Sequence, residues 1–209
     1  MEHVLWLYQQ PDDPKRPLVC FDEKSVQLLA DKREPILMKP GQSKRQDCEY
    51  KRKGTRNLFV FVEPKAGRRH VLVTARRTKM HFAYAMRYLV DHLYPDAEGI
   101  DVVMDNLNTH QYHSLVECFG KAEADRIMAR LGFHYTPPHG SWLNMAEIEI
   151  GVLGNQCLDR RIPDEMTLIT EIIAWEERRN AAKASIHWSF TVDDARHVFK
   201  EHYPTSLVS

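Results

Sequence analysis

Val103-Met104-Asp105-Asn106-Leu107-Asn108-Thr109-His110 closes the most apolar run of the chain, Ile100–Met104, on a carboxylate. A short Val-rich run of this kind reads as a buried strand. An acidic group at its end is expensive unless it is solvated, hydrogen-bonded or bound to a metal. Two further stretches repeat the arrangement. Asp22 ends the apolar run that begins at Pro17, and Glu147 follows Thr136-Pro137-Pro138-His139-Gly140-Ser141-Trp142-Leu143-Asn144 by a turn of helix. Three acidic groups from three elements suit hard divalent cations, which take oxygen ligands and bind through a few carboxylates plus phosphate. The chemistry indicated is phosphoryl transfer.

Working outward, Leu18–Phe21, Asn57–Val62, His70–Thr74 and Phe133–Thr136 also read as strands. Lys79–Tyr94, Ala122–Leu131 and Trp142–Leu158 carry helical spacing. After a turn at Asp159–Pro163, Asp164 or Glu165 opens a helix, and Asp193 or Asp194 a last short one. The order of strands and helices predicts an α/β layer structure with helices on a mixed sheet. Residues 31–56 interrupt the first two strands with polar and basic residues, and a loop of that length is usually functional or disordered.

On the third helix, Ser141 is expected to cap the N-terminus. Leu143, Ala146, Ile150, Leu153 and Cys157 form the predicted buried stripe, with Glu147 and Glu149 on opposite flanks. Small or polar Asn144, Gly151 and Gly154 beside Glu147 leave room for an ion and its ligand. Glu149 is expected on the rim, facing solvent or a neighbouring helix.

A chain of 209 residues is long enough to bury one sizeable core. No apolar run approaches the ~20 residues of a membrane helix, so a soluble intracellular protein is expected. Cys20, Cys48, Cys118 and Cys157 lack zinc-knuckle spacing and read as separate thiols. The 29 basic and 29 acidic residues cancel, but not locally. Between Met38 and Arg87 fourteen Lys and Arg face three acidic residues, a footprint of a surface that meets a polyanion. Lys44, Arg45, Lys51, Arg52, Lys53 and Arg56 are its candidate contacts.

The strings Cys20–Ser25, Asp105–His110 and Pro137–Glu147 resemble, in this order, the three catalytic blocks of bacterial insertion-sequence transposases of the mariner superfamily. The resemblance spans about Val19 to Pro204. It implies a DDE-type catalytic domain of ribonuclease-H-like, retroviral-integrase-like fold, in which Asp22, Asp105 and Glu147 are the catalytic residues and the ligands of two Mg²⁺ or Mn²⁺ ions. Two-metal logic makes Asp22 the bridge, with Asp105 and Glu147 holding one ion each. Asn106, His110, Ser141 and Asn144 are expected to support the carboxylates or the scissile phosphate. By the same resemblance the domain covers 18–158, with a linker remnant at 1–17, a clamp-like basic insertion at 31–56 and C-terminal helices at 159–209.

The partners implied are DNA, as transposon ends and a TA target, and a second copy of the chain. Relatives carry helix-turn-helix modules ahead of the catalytic region, and the residues before Asp22 leave no space for them. The chain is therefore expected to be either one product of a split or frameshifted gene, whose upstream polypeptide supplies them, or a truncated remnant. Two rival readings stay open at this point: a metal-dependent nuclease without strand transfer, and a non-catalytic DNA-binding or dimerising fragment that regulates a complete transposase.

Overall fold

The computed structural model describes residues 1–33, 39–42, 48–107 and 111–202. Its centre is a five-stranded mixed sheet, β1 (Leu18–Asp31), β2 (Tyr50–Glu63), β3 (Arg68–Thr74), β4 (Ile100–Met104) and β5 (Leu131–Tyr135). The spatial order is β3-β2-β1-β4-β5. The first three strands pair antiparallel, whereas β4 and β5 run parallel to β1.

Alternation along the strands sends side chains to two cores. Val19, Phe21, Phe59, Phe61, Ile100, Val102 and Met104 pack with Phe82, Met86, Leu115 and Ile127. These last come from α2 (Lys79–Tyr88, continued by a π-helical turn to Leu93), α3 (Tyr112–Phe119) and α4 (Lys121–Met128). On the other face Cys20, Leu58, Val60, Val62 and Val103 meet Leu5, Ala146, Leu153, Trp175 and Ala195. Those belong to α1 (Glu2–Gln9), α5 (Met145–Leu153), α6 (Glu165–Ala181) and α7 (Val192–Val198). Among the described residues no helix is long and apolar enough to cross a membrane, and the four cysteines form no disulfide.

Four local expectations change. Residues 1–17 are not simply a linker, because α1 buries Val4, Leu5, Leu7 and Tyr8 in the second core. Residues 31–56 are not all loop: β1 and β2 pair from Cys20↔Val62 out to Asp31↔Tyr50, so Tyr50–Arg56 belongs to a two-stranded ribbon. A register shift between Gln27 and Leu29 places one extra residue on β2 at Gly54, whose φ of 99° suits a bulge and glycine. α3 was not foreseen. The expected helix at Trp142 starts later, since Ser141–Leu143 is a 3₁₀ turn and Asn144, not Ser141, caps α5 by accepting a hydrogen bond from the Ala146 amide at 3.1 Å.

The C-terminal helices begin as their caps predict. Asp164 accepts from the Thr167 amide at the start of α6, and Thr191 with Asp194 forms a capping box for α7.

Candidate active site

Position is set first by the parallel pairing of β1 and β4, whose last rung is Cys20↔Val103. Asp22 and Asp105 each lie two residues beyond that rung, so they leave neighbouring strands on the same face. Asp22 is not at the end of its strand as expected, because β1 runs on against β2. It is β4 that stops, at Met104, and its ending opens a crevice beside Asp22 of the kind in which open α/β sheets hold ligands. Glu23 points to the opposite face, where its carboxylate stands 3.9 Å from the Arg77 guanidinium.

The third carboxylate arrives on α5. With Asn144 as cap, Glu147 falls in the first turn, exposed, at the end of the helix whose dipole favours negative charge. Asn144 is buried and does more than cap. Its Nδ2 donates to the Phe21 carbonyl over 2.8 Å, fixing the start of α5 against the residue before Asp22. Tyr8 braces the same turn by donating from its hydroxyl to the Leu143 carbonyl at 2.6 Å.

Burial pushes the Asp22 carboxyl up to about 6, and the charges of Asp105 and Glu147 add to that while the Glu23 amide, 2.7 Å from Oδ1, opposes it. Asp22 thus lies within electrostatic reach of both other sequence-predicted carboxylates. Oxygen-only, anionic and mutually repelling, the set fits a hard divalent cation. Among the described residues no three His, Cys, Asp or Glu side chains are gathered tightly enough to hold an ion by themselves, so the carboxylates approach without a finished coordination shell. Asn106 is exposed next to Asp105, Ser141 is exposed in the 3₁₀ turn, and His110 lies outside the described residues.

Glu149 overturns the expectation of a rim position. It is fully buried, with Oε1 2.6 Å from Arg179 Nε and 3.0 Å from Arg69 Nε, and Oε2 3.0 Å from Arg179 Nη2. Arg69, counted above with the basic surface, has no exposed side-chain area, and burial holds its guanidinium below the ordinary value. The two glutamates of α5 thus divide the work, Glu147 facing the crevice region and Glu149 locking the helix to β3 and α6.

Of the basic contacts, Lys51, Arg52 and Lys53 are exposed on the ribbon. Arg56 is instead paired with Glu165 at 2.9 Å, and Lys44 and Arg45 lie outside the described residues. Sequence reading missed Arg161, which pairs with Asp31 at 2.6 Å, donates to the Cys48 and Glu49 carbonyls and lies over the Tyr50 ring, holding the ribbon's outer end. Its position inside a predicted turn was the only signal. A cavity of about 430 Å³ lies elsewhere, lined by α1 and by Leu18 and Asp101 at the other end of the parallel strands, with the His134 ring reaching back to Asp101 at 2.8 Å.

Three solved structures share this architecture at 14% identity. They are the Mos1 mariner paired end complex with Mn (TM-score 0.57, 88% of this chain and 54% of that one), a pre-cleavage Mos1 transpososome (0.54, 88% and 59%) and the Mos1 strand transfer complex (0.52, 90% and 60%). At such identity the likeness carries the ribonuclease-H-like fold, and the chain spans 54 to 60% of the length of those chains. No curated protein matches by sequence. The sequence pattern of the DDE superfamily endonucleases matches residues 17–169, three quarters of the chain and all three carboxylates, and the chain belongs to that family.

Proposed function

We propose that this chain is the catalytic part of a DDE transposase, which cuts DNA at the ends of an element and joins the freed 3′ end to target DNA. The observation that carries the reading is the placement of Asp22 and Asp105 two residues past one parallel rung, with Glu147 brought to them on a helix pinned to β1 by Asn144.

Asp22, Asp105 and Glu147 would hold two Mg²⁺ or Mn²⁺ ions. When bound, such ions lower the pKa of a water and stabilise the leaving oxygen of an in-line displacement. The chain's own residues set the stage for that reaction. Asn144 and Tyr8 fix the first turn of α5, Glu149 fixes its roll, and the end of β4 leaves space for a phosphodiester. Lys51, Arg52 and Lys53 on the ribbon hold DNA backbone, which makes affinity salt-dependent. The remaining partners are a second copy of the chain, a TA target, and a helix-turn-helix polypeptide that reads the element's ends.

The test is nicking of labelled duplex DNA with Mn²⁺. The wild-type chain should nick, and Asp22→Ala and Asp105→Ala should not, with unchanged circular dichroism. Nicking at the wild-type rate by either variant overturns the assignment.

A further inference from the structure

Trp142 is 41% exposed although it belongs to an aromatic cluster and stands two residues before Asn144, the residue that ties α5 to the strand of Asp22. Its indole lies nearly parallel to that of Trp188, 18° between planes and 6.3 Å between centroids. Phe190 meets it edge-on at 5.7 Å, and Phe199 packs at 6.3 Å. Trp188 is itself held, donating from Nε1 to the Phe190 carbonyl at 2.8 Å and packing on Tyr8 at 5.3 Å. The backbone on the C-terminal side of Trp142 is anchored as well, at the Leu143 carbonyl by Tyr8 and at Asn144 by Phe21.

The result is a rigid aromatic surface, part covered and part open, two residues from the Asn144 tether to Phe21, the residue before Asp22. Three carboxylates gain nothing from an apolar ring beside them. A flat π-surface whose ordering is already complete suits a flat π-partner, because little further freedom is lost on contact. In a nucleic acid that partner is a base. Where a phosphodiester leaves the regular duplex path to meet carboxylates from two strands and a helix, the nucleotide next to it loses stacking. An indole there replaces what is lost, whichever base it is, since every base has a π-face.

We infer that Trp142 is the stacking platform for one unstacked nucleobase flanking the phosphate that enters the crevice. The inference rests on the reading of the chain as a DNA-cutting enzyme. The C-terminal segment Ile186–Phe199 thereby acquires a role: it supplies the aromatic backing that keeps the platform in place.

The experiment is equilibrium binding without divalent metal, by fluorescence anisotropy. The probes are duplexes whose ends are scanned with a single abasic nucleotide, and the proteins are wild type, Trp142→Ala and Trp142→Phe. Wild type should lose about tenfold in affinity at one abasic position, toward the low end of what a stacked base contributes. Trp142→Ala should bind the intact duplex about tenfold more weakly and no longer sense that position, whereas Trp142→Phe should still sense it. If Trp142→Ala keeps the wild-type abasic profile, or weakens every duplex equally, the platform is overturned. A dimer-to-monomer shift on sedimentation of Trp142→Ala with an unaltered abasic profile would place the indole between two copies instead, which also overturns it. Coupling seen in a chain that nicks nothing would sink the cutting reaction and leave the platform standing. Nicking that depends on Asp22 with no coupling does the reverse, and a chain with no affinity for any duplex loses both.

Discussion

The Asn144 carboxamide spans the two halves of the site, donating to the Phe21 carbonyl at 2.8 Å while its oxygen accepts the Ala146 amide at 3.1 Å. One side chain thus sets both the start of α5 and its distance from the strand that carries Asp22. Asn144→Asp separates the two roles, since aspartate caps as well as asparagine but has no hydrogen to give the carbonyl. The thermal midpoint should fall, because a buried carboxylate oxygen then faces the Phe21 carbonyl, and nicking should slow by about 10- to 100-fold, the scale of a misplaced reacting group. Equal nicking by the variant and the wild type would show that the tether does not position Glu147.

The two glutamates of α5 should respond in opposite ways. Glu147→Gln changes an exposed group and should shift stability by less than about 0.5 kcal/mol while ending metal-dependent nicking. Glu149→Gln leaves Arg69 buried beside a neutral amide and should destabilise by about 3–5 kcal/mol, measured by urea unfolding. A Glu149→Gln protein as stable as wild type contradicts the buried network.

On the ribbon, neutralising Lys51, Arg52 and Lys53 together should flatten the slope of log affinity against log salt by about two to three units. Arg56→Gln should leave that slope alone and lower the thermal midpoint, because its guanidinium is committed to Glu165. If Arg56→Gln flattens the slope by a full unit, the ion pair opens when DNA binds.

Asp101 provides a pH test away from the crevice. It is buried, which pushes its carboxyl up, but Arg16, bidentate at 2.6 and 2.8 Å, and His134 at 2.8 Å hold it below the ordinary aspartate value. A depressed folded-state value means the stabilisation is complete above the unfolded value of about 3.9 and is lost as pH falls through the folded one. With Arg16 half exposed and screened, the stabilisation is about 1–2 kcal/mol. The gap in thermal midpoint between wild type and Asp101→Asn should therefore narrow as pH falls below about 4. A gap unaffected by acid would assign the effect to shape alone.

What could be read beforehand followed from how strongly each segment is driven by burial. β4 came out to the residue, because Ile100–Met104 is buried throughout and Asp105 follows at once. The outer halves of β1 and β2 did not. Tyr50–Thr55 is exposed and polar, so no alternation marks it, and only cross-strand pairing holds it extended. α3 is eight residues long with just Ser114 and Leu115 buried, and Gly120, at φ 79°, separates it from α4. The helical phase of Glu147 and Glu149 was legible as opposite flanks, but which partners waited for Glu149 was not. Arg69 lies eighty residues away in a run of basic residues that looks solvated, and only the folded chain brings it under α5.

Asp22, Asp105 and Glu147 are proposed to form one divalent-metal site together. Anomalous diffraction at the manganese edge, from crystals of this chain soaked in MnCl₂, tests it most directly. Anomalous density is expected in contact with carboxylate oxygens of all three residues, and should be lost in Asp22→Ala crystals. Manganese bound elsewhere on the protein, with none at these three carboxylates, would contradict it.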